Sequence, residues 1–545
     1  MTALRLALIT LTAVATVAGD ALSTLRQSVS SLGQVLLPGD ASFDSHAQLW
    51  NPAWDGRTPA VIVAAAAEGD VVAAVQYAHA TRLHLRVKSG GHQSFGASVC
   101  PTATCVVVDV SRLHQIVVDN AAMTAVIGSG AKQRAVFEKL NPLNLTMNYA
   151  SGGSISMGGL IQGGGFGIST RLHSVLSDSV VAARVVRVDS ATVVTATATN
   201  GYADLFWALC GGGGGQYAIV LSFTLKVYPL APLSGGNITR FSYTFSAGEA
   251  NITRVNEGFQ DWLAVAPHEF QPFIGWSATG GLSVHGFYHG SLASFSPLFS
   301  EFLRLAGRPD ATGTADEMPF GEAYLGWLGA DDDRSYLSLI TVMVRRVTAE
   351  GMQILFEASR SYSAGVHALV ASTGQVAHGQ LGGSGPVGAY SLREYTFSVI
   401  MSKQMAGAAA NLAPWREAVA SAMSAYQRVR ALGDRVYVNS PLQTADLPNW
   451  AEAYYGDNWR ILRAVKAKYD NGGLLAQPQD LATYGPSNSS CGSSPESLLL
   501  WAGLITLGCL GLALAAALAR QRSHSSSPTM NTVLVNREAK TSDNI

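Results

Sequence analysis

The chain is poor in charge. Of its 545 residues only 13% are Asp, Glu, Lys or Arg, and the signs cancel, 36 basic against 37 acidic. No basic patch or basic helix stands out, so nucleic-acid binding has no electrostatic footprint. Cysteines number five. Cys100 and Cys105 have no second pair nearby, which argues against a zinc site and leaves a small disulfide loop as their use. No dinucleotide fingerprint stands in a strand–turn–helix context, and there is no G-x-x-x-x-G-K-[ST] loop and no H-E-x-x-H. His84 and His92 are too far apart for a helical metal pair. Asp331-Asp332-Asp333 reads as a solvated loop, so no metal site is expected. Neither Gly152-Gly153-Ser154-Ile155-Ser156 nor Gly383-Ser384-Gly385 fits a serine nucleophile elbow, which leaves a hydrolase little support.

Glycine is what the chain has in excess, with 56 residues. Arg86-Val87-Lys88-Ser89-Gly90-Gly91-His92-Gln93-Ser94-Phe95-Gly96 turns a short apolar stretch into a glycine loop holding one histidine. Gly152-Gly153-Ser154-Ile155-Ser156-Met157-Gly158-Gly159 leads into Gly163 to Gly167. A third run, Gly211 to Gly215, precedes Gln216-Tyr217-Ala218-Ile219-Val220. Glycines allow positive φ and close backbone approach, and successive N–H groups in such loops form anion-binding nests. Three such turns interleaved with strand-like sequence point to a large cofactor held by backbone rather than to linkers.

The order of elements supports a mixed fold. Residues 60–66, 83–87 and 105–109 read as strands, with a helix at 70–80 whose Val71, Ala74, Val75 and Ala78 share a face. Strand, helix, strand and glycine loop make a βαβ arrangement. Strands follow at 123–127, 180–188, 191–194 and 219–227. From about residue 238 to 430 long strands alternate with helices, which predicts a second domain with one sheet and helices on one of its faces. Pro297 is assigned to the first turn of the helix at 296–305. Residues 435–438 begin a return to the first domain.

The two ends carry their own signals. Residues 1–19 hold one arginine, an apolar run and small residues, as a secretory signal does. Residues 498–519 contain no charge in 22 positions and are long enough to cross a hydrocarbon core of roughly 30 Å. Arg520 and Arg522 follow, which places the tail inside. The expected topology is single-pass type I, at the cell surface or in a secretory-pathway membrane, with N-x-S/T acceptors at Asn144, Asn237, Asn251 and Asn488.

Taken in order, these motifs carry a likeness. Residues 86–96 resemble the R-x-R-S-G-G-H-S loop of FAD-linked oxidases of the vanillyl-alcohol oxidase superfamily. The branch most similar is the berberine bridge enzyme-like group, which includes oligosaccharide oxidases. Asp204 to Val220 resembles its D-L-F-W-A-x-R-G-G-G-G-x-N-F-G-I-V motif. Tyr437-Val438-Asn439 and Trp450 to Trp459 resemble its C-terminal motif. The resemblance implies an α+β class: a two-subdomain PCMH-type FAD-binding fold with an α/β substrate domain, here with a C-terminal transmembrane helix added. The implied divisions are signal 1–19, FAD-binding 20–234, substrate domain 235–430, return 431–482, linker 483–497, span 498–519 and tail 520–545.

The same resemblance implies FAD, covalently held through His92. The implied cofactor contacts are Lys88, Ser89, Gly90, Gly91, Gln93 and Ser94 on the first loop. On the second run they are Gly152, Gly153, Ser154, Ile155, Gly158, Gly159, Gly163, Phe166 and Gly167, with Val220 and Asn439 from later segments. Backbone N–H groups of residues 89–91 and 153–158 are expected to hold the pyrophosphate. The family's second, cysteinyl link has no counterpart, because that position is Gly152. Its catalytic tyrosine is replaced by Ser440, whose hydroxyl is a poor general base. Tyr437 and Tyr395, then Glu394 and Arg393, are the candidate replacements. The implied reaction is oxidation of a small hydroxyl-bearing substrate by hydride transfer to flavin, with oxygen or another acceptor taking the electrons. Ile155 does not choose between acceptors. Two other readings stay open: a flavin-binding surface protein with little turnover, and a membrane-tethered recognition protein without cofactor.

Overall fold

The computed structural model describes residues 19–230, 235–245, 249–276, 281–308, 311–328, 334–361, 388–406 and 413–484. Most of the leader and all of 485–545, including the apolar run 498–519, lie outside the described residues. Among the described residues no helix is long and apolar enough to cross a membrane.

The first layer is a four-stranded sheet. Its strands are β1 (Gln34–Leu36), β2 (Val61–Ala64), β3 (His84–Lys88) and β4 (Cys105–Asp109), in the order β1-β2-β4-β3. β2, β4 and β3 run parallel. β2 and β4 are buried along their whole length, as continuous Val-rich runs covered on both faces should be. The crossover helix α1 (Glu68–Thr81) buries Val71, Ala74, Val75 and Ala78, the predicted face. Its start is fixed by the buried Asp70 carboxylate, which accepts from the N–H groups of Ala66, Ala67 and Ser30. The expected βαβ unit is present, with β4 inserted between its two strands. Cys100 and Cys105, at the approach to β4, are joined as a disulfide.

The second layer is a five-stranded antiparallel sheet. It contains β5 (Ile116–Asp119), β6 (Thr124–Gly128), β7 (Val180–Val186), β8 (Val193–Ala196) and β9 (Ile219–Lys226), ordered β5-β6-β9-β7-β8. The short helix Met157–Gln162 packs beside β6 and β9. The helix Ala203–Leu209 leads into the third glycine run.

The region after residue 235 differs from the single sheet expected. It holds two sheets. One is four-stranded and antiparallel, built from β10 (Asn237–Phe245), β11 (Phe270–Trp276), β12 (Leu282–Tyr288) and β13 (Thr312–Pro319), ordered β11-β12-β10-β13. The other joins β14 (Ser335–Val344) to β15 (Phe397–Ala406) and β16 (Arg435–Val436). β13 reads TGTADEMP and is mostly exposed. Glycine, proline and charge look like a loop in sequence, yet an edge strand tolerates all three. The helices Glu249–Val265 and Leu292–Leu305 cover the four-stranded sheet through Phe241, Phe259, Trp262, Phe295, Phe299 and Phe302, all buried. The second of these helices begins four residues before the expected start, capped by Ser291, whose side chain accepts from the Ser294 N–H. Pro297 therefore lies inside the helix rather than in its first turn.

The chain closes on itself through its C-terminal return. Helix Asn458–Tyr469 ends at a fully buried pair, Lys466 Nζ to Asp470 Oδ2 at 2.7 Å. The same ammonium donates to the Leu475 carbonyl, and Asp470 accepts from the N–H groups of Leu474 and Leu475. The Leu474 carbonyl in turn accepts from the Leu85 N–H on β3. Each charge is thus saturated by the other and by backbone. Asp470→Ala would leave the buried ammonium with only the more distant Asp480 carboxylate, at 3.6 Å, and a loss of up to about 3–5 kcal/mol follows. A thermal or urea melt of that variant checks this; an unchanged midpoint would show the pair to be dispensable.

Candidate active site

The end of β3 is held by charge. Lys88 Nζ lies 3.0 Å from Asp109 Oδ2 on β4 and 2.8 Å from the His46 carbonyl. His46 Nδ1 meets the same Asp109 oxygen at 2.9 Å, and the Ser111 N–H reaches the other. Burial alone would raise the Asp109 pKa. The His46 hydrogen bond, the Lys88 ammonium and the contacts from Ser111 outweigh it and hold the carboxyl at about 2. Lys88 therefore faces Asp109 rather than the cavity, and its role is to anchor the loop that follows.

That loop turns through Gly91 at φ 67° and Gly96 at φ 72°, a region open to glycine. The Trp50 N–H donates to the Gly91 carbonyl at 3.0 Å. The Trp50 ring stacks on His92 with centroids 5.0 Å apart. His92 Nε2 lies 3.0 Å from Ser154 Oγ, so the first and second glycine runs meet at the histidine. Gly90 packs against Ser156, where a Cβ would come within 2.7 Å of Oγ.

These pieces wall a cavity of about 250 Å³. Of the residues expected at a cofactor, Ser89, Gly90, Gly91, His92, Gln93, Ile155, Gly158, Gly159, Val220 and Asn439 line it. Lys88, Ser94, Gly152, Gly153, Ser154, Gly163, Phe166 and Gly167 do not. The Ser94 carbonyl accepts from Trp54 Nε1, and the Gly152 carbonyl accepts from Gln133 Nε2. Gly163 is bare because Asn439 fills the space a Cβ would take, at 2.0 Å. A Cβ on Gly167 would meet the Tyr149 carbonyl at 1.7 Å. Phe166 packs against Tyr437, with ring centroids 4.4 Å apart. Part of the second glycine run thus serves packing within the protein.

The expected anion contacts divide the same way. The N–H groups of Ile155, Met157 and Gly158 donate to the carbonyls of Gly152, Ala131 and Ser129. Among the described residues those of Ser89, Gly90 and Gly91 donate to no protein acceptor. Among the described residues the N–H groups of Gly153, Ser154 and Ser156 likewise donate to no protein acceptor, so both runs keep backbone donors and only Ile155, Met157 and Gly158 are spent within the protein.

Other cavity residues carried weaker signals in sequence. Gly213, Gly214, Gly215 and Gln216 come from the third glycine run, and Trp450, Tyr454 and Tyr455 from the C-terminal motif. Arg86, which opens the first glycine-loop motif, lines it as well, and Gln162, Gln477 and Gln479 do so with no local pattern to mark them. Gln477 Nε2 donates to the Gly214 and Gly215 carbonyls, and Gln216 Nε2 to the Gln479 carbonyl. The C-terminal return thereby forms one wall.

The candidate catalytic side chains stand outside this lining. The Tyr437 hydroxyl accepts from the Gly165 N–H and from Asn439 Nδ2, both at 2.9 Å. Burial raises its pKa to about 12 against those hydrogen bonds. Tyr395 donates to Asp434 at 2.6 Å, and burial together with that carboxylate raises it to about 12. Glu394 is more than half exposed and paired with Arg345. Arg393 is bound to Asp178 by both terminal nitrogens. Ser440 is buried.

A flavin dinucleotide fits the residues present. Gly159 and Gly214 line the cavity, yet a Cβ at either would meet no protein atom nearer than 3.7 Å. Protein packing does not demand glycine there; a ligand lying against the backbone does. Gln162 Oε1, Gln216 Oε1 and Arg86 Nε are buried in the same walls without a partner, and such groups are costly to leave unpaired.

Comparison with known proteins agrees. An FAD binding domain model matches residues 59–197, and a berberine and berberine-like model matches 436–480. An uncharacterised FAD-linked oxidoreductase of Bacillus subtilis, YgaK, is 26% identical over 428 residues, 76% of this chain and 89% of that protein. Berberine bridge enzyme-like 2 of Arabidopsis thaliana is 30% identical over 211 residues, but these are only 37% of its length. The glucooligosaccharide oxidase of Acremonium strictum superposes with a TM-score of 0.75 at 22% identity, covering 85% of this chain and 98% of that one. A second structure of that oxidase is described as carrying a 6-S-cysteinyl, 8α-N1-histidyl FAD.

Two outcomes follow. Gly159→Leu should still fold cooperatively, since the helix gains a better former, but should be isolated with little or no flavin; full flavin content would show that the space beside Gly159 is not used. The Asp109 carboxyl, at about 2 against an ordinary 3.8, stabilises the fold above about pH 4 and loses that contribution as pH falls toward 2. Asp109→Asn should therefore remove roughly 2 kcal/mol of acid-dependent stability, seen as a flatter melting temperature between pH 5 and about 2.

Proposed function

We propose that this chain, which belongs to the berberine bridge enzyme-like FAD-linked oxidoreductases, oxidises a hydroxyl-bearing carbon of a sugar, oligosaccharide or other alcohol at the cavity beside His92. One observation carries the reading. Segments spread from Leu85 to Gln479, including all three glycine runs and the C-terminal motif, line a single cavity. Nothing in protein packing alone requires them to meet there.

Bound in this cavity, FAD supplies the isoalloxazine that accepts hydride and passes electrons to oxygen or another acceptor. The backbone donors at Ser89, Gly90 and Gly91 are placed to hold its diphosphate. His92, stacked on Trp50 and in contact with Ser154, is the residue proposed to carry the covalent link. With Gly152 at the cysteine position a single link is expected. Asn439 stands at the cavity wall and is fixed by its bonds to the Leu160 carbonyl and the Tyr437 hydroxyl. Tyr437 thus reaches the cavity through Asn439 and is read as a positioning residue.

The name of the fungal neighbour supports an oligosaccharide as substrate class. The leader and the uncharged run 498–519 support a single-pass protein of the cell surface or secretory pathway. Asn144 is exposed at a turn and is available as a glycan acceptor. A second reading, a tethered flavin protein with little turnover, is favoured by the catalytic candidates: neither Tyr395, Glu394 nor Ser440 lines the cavity.

The test is an absorbance spectrum of the purified chain before and after acid precipitation. Yellow colour is expected to stay with the pellet, and His92→Ala to release it into the supernatant. A colourless chain after expression with ample FAD would end the enzyme reading. Anaerobic bleaching by a sugar or alcohol separates the oxidoreductase from the low-turnover reading.

A further inference from the structure

Among the described residues Arg86 is the one permanently charged side chain in the lining of the cavity, and no carboxylate lines it. Its Nε is buried without a partner. Nη1 reaches only the Ala97 carbonyl, at 3.3 Å, the long end of a hydrogen bond. A second guanidinium, Arg57, lies behind it, over the Trp54 ring and bonded to the Val99 carbonyl. Burial, then repulsion from Arg57, lowers the Arg86 pKa to about 10, and Asp480 offsets only part of this. Asp480 also faces Lys466 at 3.6 Å. The one carboxylate that acts on Arg86 is thus already engaged by Lys466, Arg57 adds a second half-buried cation beside it, and positive charge is left in excess. A buried cation is stable when an anion and further hydrogen bonds complete it.

FAD carries its charge in one place. The isoalloxazine, ribityl chain and adenosine are neutral near pH 7, and the diphosphate is doubly negative. We infer, on the flavin reading above, that Arg86 is the counter-charge for the cofactor's diphosphate, completing the site begun by the free N–H groups of Ser89, Gly90 and Gly91. The guanidinium fork matches a phosphate edge better than an ammonium does. Arg57 takes no direct part; it keeps Arg86 facing the cavity and raises the gain when an anion arrives.

The experiment uses the full chain in the His92→Ala background, where any flavin is exchangeable. Affinities for FAD, ADP and riboflavin are measured by titration calorimetry, with thermal melts alongside. Arg86→Gln is expected to weaken FAD and ADP about 10- to 100-fold, as loss of a charge-assisted hydrogen bond does, and to leave riboflavin unchanged. Arg86→Lys, which keeps the charge and loses the fork, should weaken ADP less than Arg86→Gln. It carries the test alone if Arg86→Gln does not fold, and unchanged ADP affinity then overturns the inference. Equal losses for ADP and riboflavin overturn it too, because they mark a collapsed cavity. So does an ADP affinity that Arg86→Gln leaves intact, or no measurable ADP binding with Arg86 present. A parent chain isolated without flavin sinks the flavin reading itself. A flavin-bearing parent whose Arg86→Gln form binds ADP unchanged sinks only the counter-charge.

Discussion

The cavity depends on a buried ammonium–carboxylate pair far from its histidine. Lys466 and Asp470 are both shielded from water, and they share the backbone of Leu474 and Leu475 between them. A lone charge in that place would be untenable, so the turn at 470–475 has few alternatives. It sets the Leu474 carbonyl on Leu85 of β3 and delivers Gln477 and Gln479 to the third glycine run. A charge pair with no chemical task thereby decides where a wall of the site stands.

A second buried carboxylate does the equivalent work at the other end. Asp109 gathers Lys88, His46 and Ser111, which ties β3 to β4 and to residue 46 just before the glycine loop. The loop itself is then free to keep its N–H groups unpaired. Rigid anchoring of the strand and open donors on the loop belong together: a preorganised anion site must not satisfy its own donors. Ile155, Met157 and Gly158 fail that condition, since their N–H groups already have carbonyl partners.

Much of the local structure was legible in the amino-acid order. The Val-rich runs of β2 and β4, the face of α1 and the alternation of β9 follow from hydrophobic period, and all appear as expected. The edge strand β13 and the start of the helix Leu292–Leu305 did not, because edges accept loop-like composition and a capping serine outweighs an internal proline. Division of the later region into two sheets was hidden as well. Strand partners there are chosen by pairing between segments such as β14 and β16, some 90 residues apart, and no local pattern encodes that choice.

By itself the sequence pointed to three glycine turns and a C-terminal motif as parts of one site, with His92 among them, and these segments do line one cavity. Glycine placement answers to backbone demands a residue feels locally, so it is readable. Only the tertiary structure decided which glycines face the cavity and which face protein: Gly159 has open space where a Cβ would go, whereas Gly163 has Asn439. It alone turned Lys88 toward Asp109 and left Arg86 in the cavity. Two basic residues two positions apart on one strand share a face, yet they take different partners, Asp109 and the His46 carbonyl for Lys88 and the Ala97 carbonyl for Arg86, and that is settled by the elements packed around the strand.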